Sequence, residues 1–261
     1  LGQSAVAITD HGVMYGVVDF YKACKAEGVK PIIGCEVYVT PQGRTRFDKV
    51  HELDAESRHL VLLCENEEGY RNLSYLVSMG WTEGFYIKPR IDLELLRQYS
   101  GGLIALSACL AGEIPRRLRN GEYENAKAYA LELSHIFGPD RFYLELQDHG
   151  IPVQRQVNGG LLRLHEETGI NLIATNDAHY LRREDAEMQD ILMCIQMGKT
   201  LDDAQPVVET VRFSATGDDL IHDGIFLQAK QRGGDHYDFS FAYENMRDFY
   251  TQFDVNWLNQ E

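Results

Sequence analysis

Six short apolar runs recur along the 261 residues, at 5–9 (AVAIT), 31–39 (PIIGCEVYV), 59–64 (HLVLLC), 103–107 (LIALS), 142–146 (FYLEL) and 172–174 (LIA). Short apolar runs of this kind, bounded by polar residues, read as buried strands. Helical spacing of apolar residues marks 13–27, 66–79, 91–99, 122–137, 153–168 and 183–197 between or after them, while 42–57 is polar and reads as a surface loop. This alternation predicts an α/β fold with parallel strands and right-handed crossovers. Two architectures satisfy it: a closed barrel and a doubly wound open sheet.

The polar residues near the strand ends favour the barrel. His11 follows the first run, Glu36 lies inside the second, and His59 opens the third; Cys109 stands just past the fourth, His149 past the fifth, and Asp177 and His179 past the sixth. In a barrel those ends ring one mouth, so ligands from many strands converge. In an open sheet only the strands at the switch point share a site. Neither G-x-G-x-x-G nor G-x-x-x-x-G-K-[ST] occurs, which removes support for a nucleotide-binding sheet.

Asp177 and His179 are two apart in an extended segment and so face the same way. They read as a metal-ligand pair or a catalytic acid/base pair, or else as a surface Asp and a turn His that never meet. Glu36 sits among apolar neighbours and must face solvent, a partner or a metal, because unpaired burial of a carboxylate is costly. Singly, the others have plainer readings: a turn for Asp10-His11-Gly12, a core histidine for His59, a small buried hydrophobe for Cys109, a turn for His149. Together they are ligand types for Zn²⁺, Mn²⁺ or Fe²⁺. So large a mixed set exceeds one tetrahedral site and suggests two or three ions about 3.5–4 Å apart, which activate water for attack on phosphorus. No G-x-S-x-G competes.

The formal charge of −15 speaks against a stand-alone nucleic-acid binder, since neutralising phosphates needs clustered Lys and Arg. Five scattered cysteines without a C-x-x-C pair read as reduced thiols of the cytoplasm. No apolar run approaches the roughly 20 residues of a membrane span, and no signal-peptide core is visible. The chain begins with Leu1 rather than Met and runs straight into a strand, so its natural beginning is expected to lie further upstream.

The runs AITDHG, PIIGCEVYV, HLVLL, NLSYLVS, YIKPRID, GLIALSACLAGEIP, FYLELQDHG, ATNDAHY and CIQMGKTLDD occur in order along 5–203. They resemble the amino-terminal PHP (polymerase and histidinol phosphatase) domain of bacterial replicative DNA polymerase III alpha subunits. The resemblance implies a distorted seven-stranded β/α barrel over 1–203, with 204–261 as an unassigned tail. It implies metal ligands at His11, Glu36, His59, Cys109, Asp177 and His179, with Asp177 and His179 also catalytic and with Zn or Mn as the divalent metals. The activity it implies is metal-dependent 3′→5′ exonuclease within a DNA-directed DNA polymerase, a nucleotidyltransferase of DNA replication. Implied partners are DNA, through the full-length polymerase, and other replicase subunits, including a proofreading exonuclease subunit.

Two departures stand beside that resemblance. The family's opening strand carries a His-x-His pair followed by an Asp, and nothing before Ala5 supplies them. The expectation is a barrel lacking its first strand, with weak metal binding and little turnover. The tail does not align with the family, and its His222 and His236 are expected to be solvated rather than ligands. Two other readings are a non-catalytic module that holds the proofreading subunit and a free-standing phosphatase similar to histidinol phosphatase. The stretches at 88–92 and 198–203 look polymerase-like and argue against the second.

Overall fold

All six apolar runs are strands in the computed structural model, which describes residues 2–54, 58–138 and 140–200. β1 (Ala5–Ile8) leads into α1 (Val17–Glu27), which stops at Gly28 in the left-handed conformation. Among the described residues β2 (Lys30–Val39) is the longest strand, and the polar segment after it holds the four-residue α2 (His51–Asp54) before β3 (His59–Cys64). Asn66 caps α3 (Glu67–Thr82) by accepting the Gly69 N–H. β4 (Phe85–Tyr86) and β5 (Lys88–Ile91) come next, then α4 (Leu93–Tyr99), capped by Asp92. β6 (Leu103–Leu106), α5 (Glu113–Arg119), α6 (Tyr123–Phe137), β7 (Phe142–Leu146), α7 (Pro152–Thr168) and β8 (Asn171–Ala174) follow. A 3₁₀ turn then enters α8 (Ala186–Met197).

The strands form one sheet in the order β4-β5-β2-β3-β6-β7-β8, with β1 paired to the first half of β2. Four pairings are parallel: β1–β2, β2–β5, β6–β7 and β7–β8. β3, however, is antiparallel to both β2 and β6, so the expectation of a parallel sheet is corrected. Among the described residues, the segment between β2 and β3 has no helix long enough to carry the chain back across a sheet face. The chain therefore turns and returns beside β2, as antiparallel neighbours can.

The sheet curls strongly. Four strands separate β1 from β8, which in a flat sheet at about 4.8 Å per strand would hold them more than ~20 Å apart. Yet the ring of His11, just past β1, lies 5.4 Å from the ring of His179, just past β8. The result is a half-barrel of the distorted β/α type. Among the described residues, neither the outer edge of β1 nor that of β8 carries a strand partner.

Alternation along the strands sorts the side chains. Cys35, Val37, Val39, Leu60, Leu62, Leu103, Ala105, Phe142, Leu144 and Leu146 face the helices and join Leu73, Leu76, Leu96, Leu133, Leu161 and Leu164 in the main core. The intervening positions line the concave face, where Val61, Leu63, Ile104, Leu106, Tyr143 and Ile173 make a second, smaller cluster. Glu36, His59 and Glu145 continue that face toward one end.

A buried ion pair fixes how that end is assembled. Arg58 immediately precedes His59, and its Nε donates to Glu113 Oε2 at 2.8 Å, with both side chains 7% exposed. Glu113 opens α5 and also accepts from Arg117. Removing one member of a buried pair strands its partner's charge, at a cost of about 3–5 kcal/mol. Arg58→Met should therefore lower stability to urea by about 3 kcal/mol; a loss under ~1 kcal/mol would show that this pair does not anchor α5 to β3.

Candidate metal centre

Backbone pairing places His11 beside Glu36. The Gly12 N–H donates to the Glu36 carbonyl at 2.8 Å, and the Glu36 N–H donates to the Asp10 carbonyl at 3.0 Å. His11 Nε2 then lies 3.2 Å from Glu36 Oε1. His59, opposite Tyr38 in the antiparallel register, brings Nδ1 to 2.7 Å from the same oxygen. Cys109 Sγ is 3.6 Å from His59 Nδ1. Candidate ligand atoms of Glu36, His59 and Cys109 all lie within 4.8 Å of one another.

Cys109 reaches this group through a tight loop stitched to β3. The His59 N–H donates to the Ala111 carbonyl at 3.1 Å, and the Gly112 N–H to the Cys109 carbonyl at 2.8 Å. A Cβ on Gly112 would fall 2.1 Å from the Ser107 carbonyl oxygen, so only glycine fits there. Ala108, just before the cysteine, has φ +60°, a left-handed conformation that L-residues with a Cβ rarely adopt.

Asp177 is also left-handed, at φ +46°. The chain turns there, and His179 Nδ1 comes 2.9 Å from the Asp177 carbonyl. A carbonyl only accepts, so Nδ1 carries the proton and Nε2 keeps the lone pair, the form in which an imidazole binds a metal. His179 is exposed and stands at the outer rim. The Asp177 carboxylate is close enough that its charge acts on His11, Cys109 and Glu145. The structure thus brings His11, Glu36, His59 and Cys109 into contact and sets Asp177 and His179 at their edge. His149 turns elsewhere, its Nε2 2.6 Å from the Asn176 carbonyl. His222 and His236 lie outside the described residues.

The electrostatics suit a cation. Burial would raise the Glu36 carboxyl, but the polar contacts from His11 and His59 outweigh it and draw it down to about 2. The Glu36 contact raises His11 above its ordinary value against the effect of burial. Burial pushes the Cys109 thiol up to about 12, and the charge of Asp177 adds to that. Glu36 Oε1 is buried and, although two ring nitrogens crowd it, makes no well-aligned hydrogen bond. An anionic oxygen so placed, with imidazole nitrogens and a sulfur converging on it, fits a divalent ion of the Zn²⁺ or Mn²⁺ type.

Glu145 escaped the sequence reading. It is a carboxyl inside an apolar strand, FYLEL, the same signal that singled out Glu36. It is buried on the concave face and accepts from Thr175 Oγ1 and from Gln147 Nε2, the latter at 3.0 Å. Burial raises it to about 7, partly offset by those two hydrogen bonds.

The family profile described as PHP domain matches residues 1–149, more than half of the sequence. The chain belongs to the PHP domain family. Similar proteins include the DNA polymerase III subunit alpha of Treponema pallidum, 47% identical over 204 residues, and that of Thermus aquaticus, 47% identical over 201. These alignments cover 78% and 77% of this chain but 17% and 16% of the relatives. The protein of the same name from Saccharopolyspora erythraea is 38% identical over 256 residues, covering 91% of this chain and 20% of its own length. This PHP chain thus spans about a sixth to a fifth of the length of these relatives.

A testable consequence concerns Glu145. Its folded pKa of about 7 lies above the ordinary carboxyl value of 4.5, so the folded state holds the proton more tightly. Its stabilising contribution is complete below about 4.5 and is lost as pH rises through about 7, a change of about 3 kcal/mol. In metal-free protein, Glu145→Gln should gain stability relative to wild type between pH 5 and pH 8. A difference between the two proteins that stays constant with pH would contradict the assignment.

Proposed function

We propose that this chain is the metal-dependent phosphoesterase barrel of a DNA polymerase III alpha-type protein. In this reading residues 1–203 are the PHP domain and 204–261 a separate tail. His11, Glu36, His59, Cys109, Asp177 and His179 are ligands of divalent ions, Zn²⁺ or Mn²⁺, of which a complete domain would hold two or three. The observation that carries it is the buried, poorly hydrogen-bonded Oε1 of Glu36, on which two imidazoles and a thiol converge at the concave end of the half-barrel.

Bound divalent ions supply a nucleophilic water and offset the charge of a phosphodiester. The protein's own residues supply the rest. Glu36, drawn down to about 2, stays anionic across the working pH range. His59 and Cys109 are held in place by the stitched loop at 109–112. Asp177 and His179 sit where the site opens and are assigned as the catalytic pair facing substrate. Hydrolysis at a 3′ end joins the water oxygen to phosphorus, breaks the bond to the preceding 3′ oxygen and delivers a proton to that oxygen. Single-stranded DNA is the proposed substrate, other replicase subunits, including a proofreading exonuclease subunit, are the proposed partners, and the cytoplasm is the proposed compartment. Among the described residues no helix is long and apolar enough to cross a membrane.

The test combines calorimetric Mn²⁺ binding with release of nucleotides from a single-stranded 3′ end. Glu36→Gln should weaken Mn²⁺ binding by about 100-fold, and Asp177→Asn should lower release at least about tenfold. A wild-type chain that takes up no Mn²⁺ or Zn²⁺ would end the metal reading. Release that is indifferent to Asp177→Asn would end the site assignment.

A further inference from the structure

Glu145 near the end of β7, and Gln147 and His149 just past it, present three polar side chains two residues apart, and between them they grip Thr175 and Asn176, just past β8. Glu145 accepts from the Thr175 hydroxyl, and Gln147 Nε2 lies 3.3 Å from the same hydroxyl. His149 Nε2 lies 2.6 Å from the Asn176 carbonyl. The next residue is Asp177.

The direction of the His149 bond is fixed by α7. Gln154 Oε1 accepts the backbone N–H of His149 at 2.8 Å, which turns its amide nitrogen toward His149 Nδ1, also at 2.8 Å. Nδ1 therefore accepts, and Nε2 carries the proton given to Asn176. Asn158, one turn further along α7, donates to the Gln147 carbonyl at 2.9 Å. The grip thus runs from α7, through residues 147–149 just past β7, to residues 175–176.

Such a grip has a mechanical purpose. A residue with a Cβ held at φ +46° persists only where its surroundings over-determine the conformation. Thr175 is held by its backbone as well as by its side chain, because its own N–H donates to the Leu146 carbonyl at 3.0 Å. With 175 and 176 fixed, Asp177 is left to make the turn that brings His179 to its carbonyl and to the His11 ring.

We propose that Glu145, Gln147 and His149 are positioning residues that clamp Thr175 and Asn176 and thereby hold Asp177 and His179 in ligand geometry. The ligand role of those two rests on the metal-centre reading above; the clamp on the loop does not. Outer-layer partners of this kind are worth about 10–100-fold in metal affinity.

The experiment uses the 261-residue chain with Thr175→Val, which removes the hydroxyl at nearly constant volume, and with His149→Phe, which keeps a ring but loses the donor. In metal-free protein, amide hydrogen exchange across 175–180 should quicken about tenfold in either variant, while β2, β3 and α3 exchange as in wild type. Mn²⁺ affinity measured by calorimetry should fall about 10–100-fold, and Thr175→Ser should restore both readouts. Thr175→Val added to Asp177→Asn should cost less than the two single losses summed, because both act in part through Asp177. Unchanged exchange at 175–180 would overturn the clamp, and full additivity would overturn its role toward Asp177. A wild type that binds no Mn²⁺ would count against the metal reading alone, since the exchange result still decides the clamp.

Discussion

Side chains on a strand alternate between two faces, and almost everything at this site follows from how that rule is used. Cys35 and Val37 flank Glu36 and are both buried against the helices, which obliges Glu36 to point into the concavity. A one-residue slip of β2 would put the carboxylate into the main core and Val37 beside the histidines. The register is secured on both sides: β1 pairs with β2 as far as the bridge at His11 and Glu36, and β3 pairs with it from Gly34 to Tyr38. The helix-facing core thus fixes the site without touching it. Ten or so apolar strand residues set the register, and the register sets three donor atoms within ångströms of each other.

The backbone strain lies where the strands give out. Three described non-glycine residues have positive φ, and two of them, Ala108 and Asp177, adjoin or belong to the candidate ligand set. Both occur just past the end of a strand, where the ladder no longer dictates conformation and a side chain must be aimed across the mouth. Each is held by partners that the strand alone would not supply. For Ala108 these are the 109–112 turn and its bonds to β3; for Asp177 they are the polar contacts to residues 175 and 176.

Much of this was legible in the sequence, and the omissions have definite causes. Six strands show as apolar runs because both of their faces are covered in part. β4 and β5 do not, since F-Y is only two residues long and K-P-R-I, though as long as β1, is half charged; Arg90 is buried there by bonds to the Gly84, Arg46 and Asp48 carbonyls, which no periodicity reveals. α5 was hidden by Pro115 and by three arginines in seven residues, although Ile114 and Leu118 are buried at helical spacing. Strand direction was misjudged at β3 because alternation of strands and helices counts elements but does not weigh a connection that lacks a helix. Seven candidate residues, His149 among them, were visible through residue type and position near strand ends, and the resemblance to PHP domains singled out the other six as ligands. The supporting layer of Gln147, Gln154 and Thr175 was not, because uncharged polar residues carry no such signature until the chain is folded.

The charge balance at the mouth gives the last step. Glu36, Asp177 and Glu145 face one small region of a chain whose formal charge is already −15, and their mutual repulsion is one cause of the raised Glu145 pKa. Without a cation, the protein answers this repulsion in two ways: imidazoles compensate Glu36, and Glu145 keeps its proton up to about 7. A divalent ion near Glu36 would reverse those terms, replacing two polar contacts with a full positive charge and favouring thiolate at Cys109 over the thiol that burial prefers. Metal uptake would then release protons from this chain, and its affinity would rise with pH over the range in which His11 and Cys109 give up theirs. The same acidity, a formal charge of −15, would favour a cation at this site before any anionic ligand.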